Sequence, residues 1–250
     1  MFGLFGSSWL EEQREKQDAR VISSKTPSVW SPTMKWEPYL YLKSDTYNPK
    51  VVFDVTPHAG TTPIGVKNAH SLVDSGHGLI QGDWLYMNRV FPKGKLLDTF
   101  YASKRGKVMF DGDVLIPVLF YKDTTSPFMS LTPMEVFTLR GGTRLAKGHV
   151  VVGGLGMGYQ LREVLNRKQV QHVTLVEKDP DLVDWILPRV TTETDRQRLT
   201  VIVDDAYKVI PKLTADVALI DIYHGYNGNT FTRCPSIGRV WVWGSSEVRG

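Results

Sequence analysis

The chain has 250 residues, 42% of them hydrophobic and 22% charged, with a formal net charge of +4. That composition excludes a disordered or fibrous polymer and leaves length for one large core or two modest ones. Cys234 is the single cysteine, so neither an intrachain disulfide nor a cysteine-rich zinc site can form, and a reducing, cytoplasmic setting is the simplest expectation.

The positive excess lies wholly in residues 1–148, where 18 basic side chains accompany 14 acidic ones, whereas residues 149–250 carry 12 of each. Basic residues are interleaved with acids, which argues against a nucleic-acid surface. No stretch approaches the ~18 apolar residues of a membrane span. The opening Met1-Phe2-Gly3-Leu4-Phe5-Gly6 lacks a basic leader and runs into charged residues, unlike a secretory signal.

In chain order, residues 1–25 read as a short helix or surface tail, with Ser7 or Ser8 as cap, Glu11 and Glu12 in the first turn and Arg20 at its close. Residues 26–130 read as a β-rich domain that covers the rest of the chain or builds a homodimer interface. Strands are expected at 39–42, 51–55, 84–87 and 114–120, separated by Pro, Gly, Asn and Asp. Asp111-Gly112 predicts a hairpin turn, because this pair readily takes positive φ.

Residues 131–250 read differently. Thr132-Pro133 opens a helix over 134–145 that must tolerate Gly141-Gly142. Apolar strands at 149–152, 172–176, 199–203, 217–220 and 239–243 then alternate with helices at 159–167, 182–190 and 207–213. This alternation predicts a doubly wound α/β domain of about five parallel strands.

In such sheets ligands bind beyond the carboxyl ends of the strands. The first strand runs into Gly153-Gly154-Leu155-Gly156-Met157-Gly158, whose glycines let backbone approach a ligand. The second ends in Glu177, 23 residues after Gly154, where a carboxylate can accept both protons of a ribose diol. Asp204-Asp205-Ala206 ends the third and Asp221 the fourth. Each signal alone is an ordinary turn or cap, but four in succession point to a nucleoside-type cofactor. A dinucleotide fingerprint fails, because Tyr159 or Leu161 stands where the third small residue belongs, and no Gly-Lys-Ser/Thr follows for a phosphate loop.

Residues 150–225 resemble the class I S-adenosylmethionine-dependent methyltransferase fold, and within it the spermidine synthase-like branch. The resemblance rests on the glycine loop, Leu161-Arg162-Glu163, Val176-Glu177-Lys178-Asp179-Pro180, Asp204-Asp205-Ala206 and Asp216-Val217-Ala218-Leu219-Ile220-Asp221. It implies a transferase using S-adenosylmethionine or its decarboxylated form. Gly153, Gly154, Leu155, Gly156 and Gly158 would face the amino-acid portion, and Glu177 the ribose. Asp204, Asp205 and Ala206 would face adenine, with Lys178 in place of its usual apolar neighbour, and Asp221 would lie near the sulfonium.

The chain also departs from that pattern, for the domain is shortened at the C-terminus, stopping soon after the fifth strand without the closing hairpin that full methyltransferase domains possess. His224-Gly225 replaces the Asp-Pro that polyamine-making members carry after the fourth-strand acid, and Phe128-Met129-Ser130-Leu131 replaces their Tyr-His-Glu. Aminopropyl transfer is therefore a secondary expectation, as is a non-catalytic binding module. Asp221, His224 and Tyr223 are the candidate catalytic residues. The other histidines show no metal-ligand spacing, and Trp241 and Trp243 read as packing residues rather than an acceptor cage.

Overall fold

The computed structural model describes residues 19–22, 39–47, 51–58, 69–101, 104–122, 127–224, 229–245 and 248–249. The N-terminal part contains β1 (Ala19–Ile22), β2 (Tyr39–Leu42), α1 (Ser44–Tyr47), α2 (Ala69–Asp74), β3 (Leu79–Gln81), β4 (Trp84–Phe91), β5 (Leu97–Tyr101), β6 (Lys104–Phe110), β7 (Val114–Tyr121) and β8 (Met129–Ser130). They form two four-stranded sheets, ordered β1-β2-β6-β5 and β3-β4-β7-β8. The second is antiparallel throughout, while the first has one parallel pair, β2 with β6.

Three local expectations are corrected here. Most of the expected N-terminal helix lies outside the described residues, but Ala19 and Arg20 are in β1, paired antiparallel with β2. Asp111-Gly112 does not close a hairpin, since β6 pairs with β5 and β7 with β4; the dipeptide turns a corner between sheets. Asp111 Oδ1 accepts from the Ser44 amide at 2.8 Å and hydroxyl at 2.9 Å, and this tie fixes the corner. The tight hairpin is at Gly82-Asp83, between Gln81 and its partner Trp84, with Gly82 at φ +53°.

Residues 51–55 likewise form no strand but a strap alongside β4. The buried Tyr86 hydroxyl accepts from the Val52 amide at 3.0 Å and donates to Asn88 Oδ1 at 2.7 Å, and Asn88 Nδ2 donates to the Phe53 carbonyl at 2.9 Å. These side chains satisfy backbone groups that a sheet ladder would otherwise pair. Burial pushes the Tyr86 phenol up to about 12, so it stays a neutral donor.

The C-terminal part contains α3 (Pro133–Thr143), β9 (Gly148–Gly153), α4 (Tyr159–Leu165), β10 (Val170–Glu177), α5 (Pro180–Val190), α6 (Glu193–Arg196), β11 (Leu199–Val203), α7 (Ala206–Val209), a 3-10 turn (Ile210–Lys212), β12 (Ala215–Ile220), β13 (Ile237–Val242) and β14 (Val248–Arg249). The sheet order is β11-β10-β9-β12-β13-β14, with the first five strands parallel. This is the expected doubly wound arrangement. The missing closing hairpin is a correction, because β14 pairs antiparallel with β13 through Val240–Arg249 and Trp241–Val248.

Alternation along β9 explains why its strand is apolar throughout. Val150 and Val152 pack into the core beneath α3, α4 and α5, while Val151 packs on the other face with Ala206, Ile210 and Phe231. The helix over α3 tolerates its glycines because Gly142 lies on the Trp241 indole, where a Cβ would meet ring carbon at 2.4 Å. The larger core continues into the N-terminal sheets through Phe53, Trp84, Tyr86 and Phe110. Phe53 stacks 4.7 Å from Trp185 of α5, with the Arg189 guanidinium 4.5 Å from its ring.

Candidate functional site

The carboxyl ends of β9, β10, β11 and β12 open into a cavity of about 740 Å³. Its floor is the glycine loop. Gly154 has φ +92°, and a Cβ there would stand 2.1 Å from the Asp221 carbonyl oxygen. Gly156 has φ +50°, and its Cβ would meet Met129 Sδ at 2.3 Å. Both positions need glycine on conformational and steric grounds. Gly158 caps α4 with φ +73°, while Gly153 is buried in β9 and accepts from the Asp221 amide at 2.8 Å; neither lines the cavity.

Glu177 is only 8% exposed. One carboxylate oxygen accepts from the Leu155 amide at 2.7 Å and the other from the Asp179 amide at 3.0 Å. The side chain thereby joins the glycine loop to the start of α5, leaving further lone pairs on both oxygens for a ligand. Asp179 caps α5 by accepting from the Leu182 amide at 3.3 Å, and its second oxygen accepts from Trp84 Nε1 at 2.8 Å. That bond brings the N-terminal sheet to the cavity wall.

Asp205 caps α7 by accepting from the Tyr207 amide at 2.9 Å, and it lines the cavity with Ala206 and Lys178. Asp204 is exposed, accepts from the Asp205 amide at 2.6 Å and lies outside the lining. Tyr207, which the sequence reading missed, adds an aromatic face stacked 4.8 Å from Phe231.

On the Asp221 side the cavity draws on segments far apart in sequence. Burial pushes the Asp221 carboxyl up to about 7. Glu135, in the first turn of α3, is pushed up to about 8, chiefly by burial and then by the charge of Asp221. Its Oε2 accepts from the Ser130 amide at 2.9 Å and hydroxyl at 3.3 Å, which only partly offsets that rise. Two acids raised in this way can hold and release a proton near neutral pH. Glu135 was hidden in the sequence because an acid two residues after Thr132-Pro133 reads as a helix-dipole partner.

Tyr223 and His224 line the same cavity. The Tyr223 hydroxyl donates to the Thr230 carbonyl and accepts from Tyr207 at 3.3 Å; burial holds it above the ordinary phenol range. His224 is exposed, its ring 5.3 Å from Phe128. Trp241 is buried packing, as expected, but Trp243 lines the cavity and donates from Nε1 to Thr138 Oγ1 at 3.0 Å. Among the described residues no cluster of His, Cys, Asp and Glu could hold a metal ion, and no helix is long and apolar enough to cross a membrane.

Residues 134–233 match the model of the spermine/spermidine synthase domain family. No curated protein sequence matches the chain. Among solved structures, spermidine synthase from Thermotoga maritima is similar at 16% identity, over 53% of this chain and 55% of that one, with a TM-score of 0.34. A spermidine synthase complexed with the transition-state analogue AdoDATO is similar at 16% identity, over 53% and 56%, with a TM-score of 0.35. The methyltransferase domain of bacterial CtHen1-C is similar at 18% identity, over 32% and 44%, with a TM-score of 0.28. The chain thus spans about half the length of the solved proteins it matches. With its parallel sheet, glycine loop and family match, the C-terminal part has a class I methyltransferase-like fold of the spermidine synthase kind.

Proposed function

We propose that the cavity binds a sulfonium nucleoside of the S-adenosylmethionine type and that the protein is a transferase acting on an acceptor bound beside Asp221. The observation that carries this reading is the convergence of the glycine loop, Glu177, Asp205 and Asp221 on one cavity from four successive strand ends. The residues fit such a ligand. Glycine at 154 and 156 lets the loop backbone close on Asp221 and Met129 with no side chain between them, Glu177 retains free lone pairs, and the lining carries five acids against Lys178 as its one basic side chain apart from His224. An acidic lining suits a cationic sulfonium and ammonium.

Gly154, Leu155 and Gly156 would hold the amino-acid arm, Glu177 the ribose diol, and Asp205 with the Ala206 backbone the adenine, with Lys178 and Tyr207 flanking it. A sulfonium bound there would supply an electrophilic carbon and a neutral thioether as leaving group. The chain's part is to align the nucleophile and take its proton. Asp221 and Glu135, at about 7 and about 8, suit that proton better than His224, which is exposed, or Tyr223, whose hydroxyl is already engaged. Glu135 would provide the second acid that the segment after Asp221 lacks.

The test is to incubate the protein with S-adenosylmethionine, or with its decarboxylated form, and a panel of amine, hydroxyl and thiol acceptors. Release of S-adenosylhomocysteine reports methyl transfer, and release of methylthioadenosine reports aminopropyl transfer. Binding without either product would replace the transferase by the second reading, a non-catalytic module, which the engaged Tyr223 hydroxyl favours. A reducing cytoplasmic setting and a homodimer through the N-terminal sheets complete the proposal, the first supported by the lone, buried Cys234.

A further inference from the structure

Gln160 is the unexplained polar group of the cavity wall. It stands in the first turn of α4, directly after the glycine loop, and the residue is 6% exposed. Its amide nitrogen and amide oxygen are both closed off from solvent, and neither has a hydrogen-bond partner. Because both ends are unpartnered, exchanging the amide's oxygen and nitrogen changes nothing. Buried amides in folded proteins are ordinarily paired, so one left wholly unpaired beside a ligand-sized cavity calls for an explanation.

The surroundings limit what could pair with it. The helix carrying Gln160 packs against α3, the helix of Glu135, and the wall here also includes Gly154, Gly156 and Tyr159. The amide needs an acceptor for its N–H groups and a donor for its carbonyl, presented side by side. An α-amino acid offers both, a carboxylate and an ammonium on one carbon. A bare aminopropyl arm offers only the ammonium and leaves the amide nitrogen unpaired.

We infer that Gln160 is a specificity residue that turns its amide into the cavity to hold the α-amino-acid end of the cofactor, so that the site prefers the carboxylated nucleoside to a decarboxylated one. This rests on the cofactor reading above and deepens it. It favours methyl transfer over aminopropyl transfer, because the latter uses the arm that cannot satisfy Gln160.

The experiment is calorimetric titration of the full chain and of Gln160→Leu with two ligands, S-adenosylhomocysteine and decarboxylated S-adenosylhomocysteine, alongside the melting temperature of each ligand-free protein. These ligands share adenosine, the thioether and the ammonium and differ only in the α-carboxylate. The expected native preference for S-adenosylhomocysteine is at least about tenfold. Gln160→Leu should remove most of that preference while leaving the ligand-free melting temperature unchanged or higher. An unchanged preference in the variant, or a native preference near one, overturns the inference and leaves the cofactor reading standing. A lower ligand-free melting temperature with an unchanged preference identifies Gln160 as a packing residue. If neither ligand binds the folded native protein, the cofactor reading itself falls and takes this inference with it.

Discussion

The two sides of the cavity are built by different means. On the Glu177 side the polar groups are held by the turns that follow the strands: Glu177 accepts two backbone amides, Asp205 caps α7 and Asp179 caps α5. On the Asp221 side, Asp221, Glu135, Gln160, Tyr223 and Trp243 come from four separate elements or loops, and two of the acids are raised toward neutral pH by burial. On the first side the carboxylates are already fixed by backbone amides. On the second, the raised acids and the unpaired Gln160 amide leave charge and pairing open to change.

The largest effect expected from this contrast is on the Glu177 side. Glu177→Ala orphans the Leu155 and Asp179 amides and should destabilise the fold by roughly 2–6 kcal/mol, at about 1–3 kcal/mol for each of the two groups, and abolish nucleoside binding. Denaturant melts and calorimetry check both, and a variant of native stability and affinity would break the distinction. Gly154→Ala should follow at roughly 2–3 kcal/mol, because it combines unfavourable φ with contact on the Asp221 backbone oxygen.

The next effect belongs to the Asp221 side and depends on pH. A carboxyl whose folded pKa is raised binds its proton more tightly in the folded state than in the unfolded one. Its contribution to stability is therefore greatest at low pH and is lost as pH rises, for Glu135 between its ordinary range near 4.5 and about 8. Glu135→Gln cannot ionise and should escape that loss. Chemical melts at pH 5 and pH 8 should show the variant gaining roughly 3 kcal/mol on the native protein at the higher pH. A constant difference would mean that Glu135 is not held protonated by the cavity. In a transfer assay the same substitution and Asp221→Asn should slow turnover about 100-fold or more. The smallest effect is at His224, where Ala should cost less than about tenfold, within the loss of a peripheral contact.

The same contrast governs what could be read from sequence. Strand alternation, the glycine loop, Glu177 and Asp205 were legible because each follows a strand at a fixed spacing, and local order decides where it sits. Glu135 and Gln160 were not legible, since they come to the cavity only through the packing of α3 and α4 on one another. Asp204 and Asp205 look alike in sequence, while only Asp205 lines the cavity. In the N-terminal part, Asp111-Gly112 has the composition of a hairpin, but Ser44 and the separate pairing of β6 and β7 decide otherwise. Residues 51–55 have strand composition, yet Tyr86 and Asn88 satisfy the strap's backbone first. Side chains distant in sequence settled both outcomes.

Calorimetric titration of the native protein and of Glu177→Gln with S-adenosylmethionine decides whether the cavity is a sulfonium-nucleoside site anchored on Glu177. Saturable, one-to-one binding to the native protein is expected, with binding to the variant at least about tenfold weaker, about 1.4 kcal/mol. The absence of heat at millimolar ligand with folded native protein, or equal affinity in the two proteins, would rule that site out.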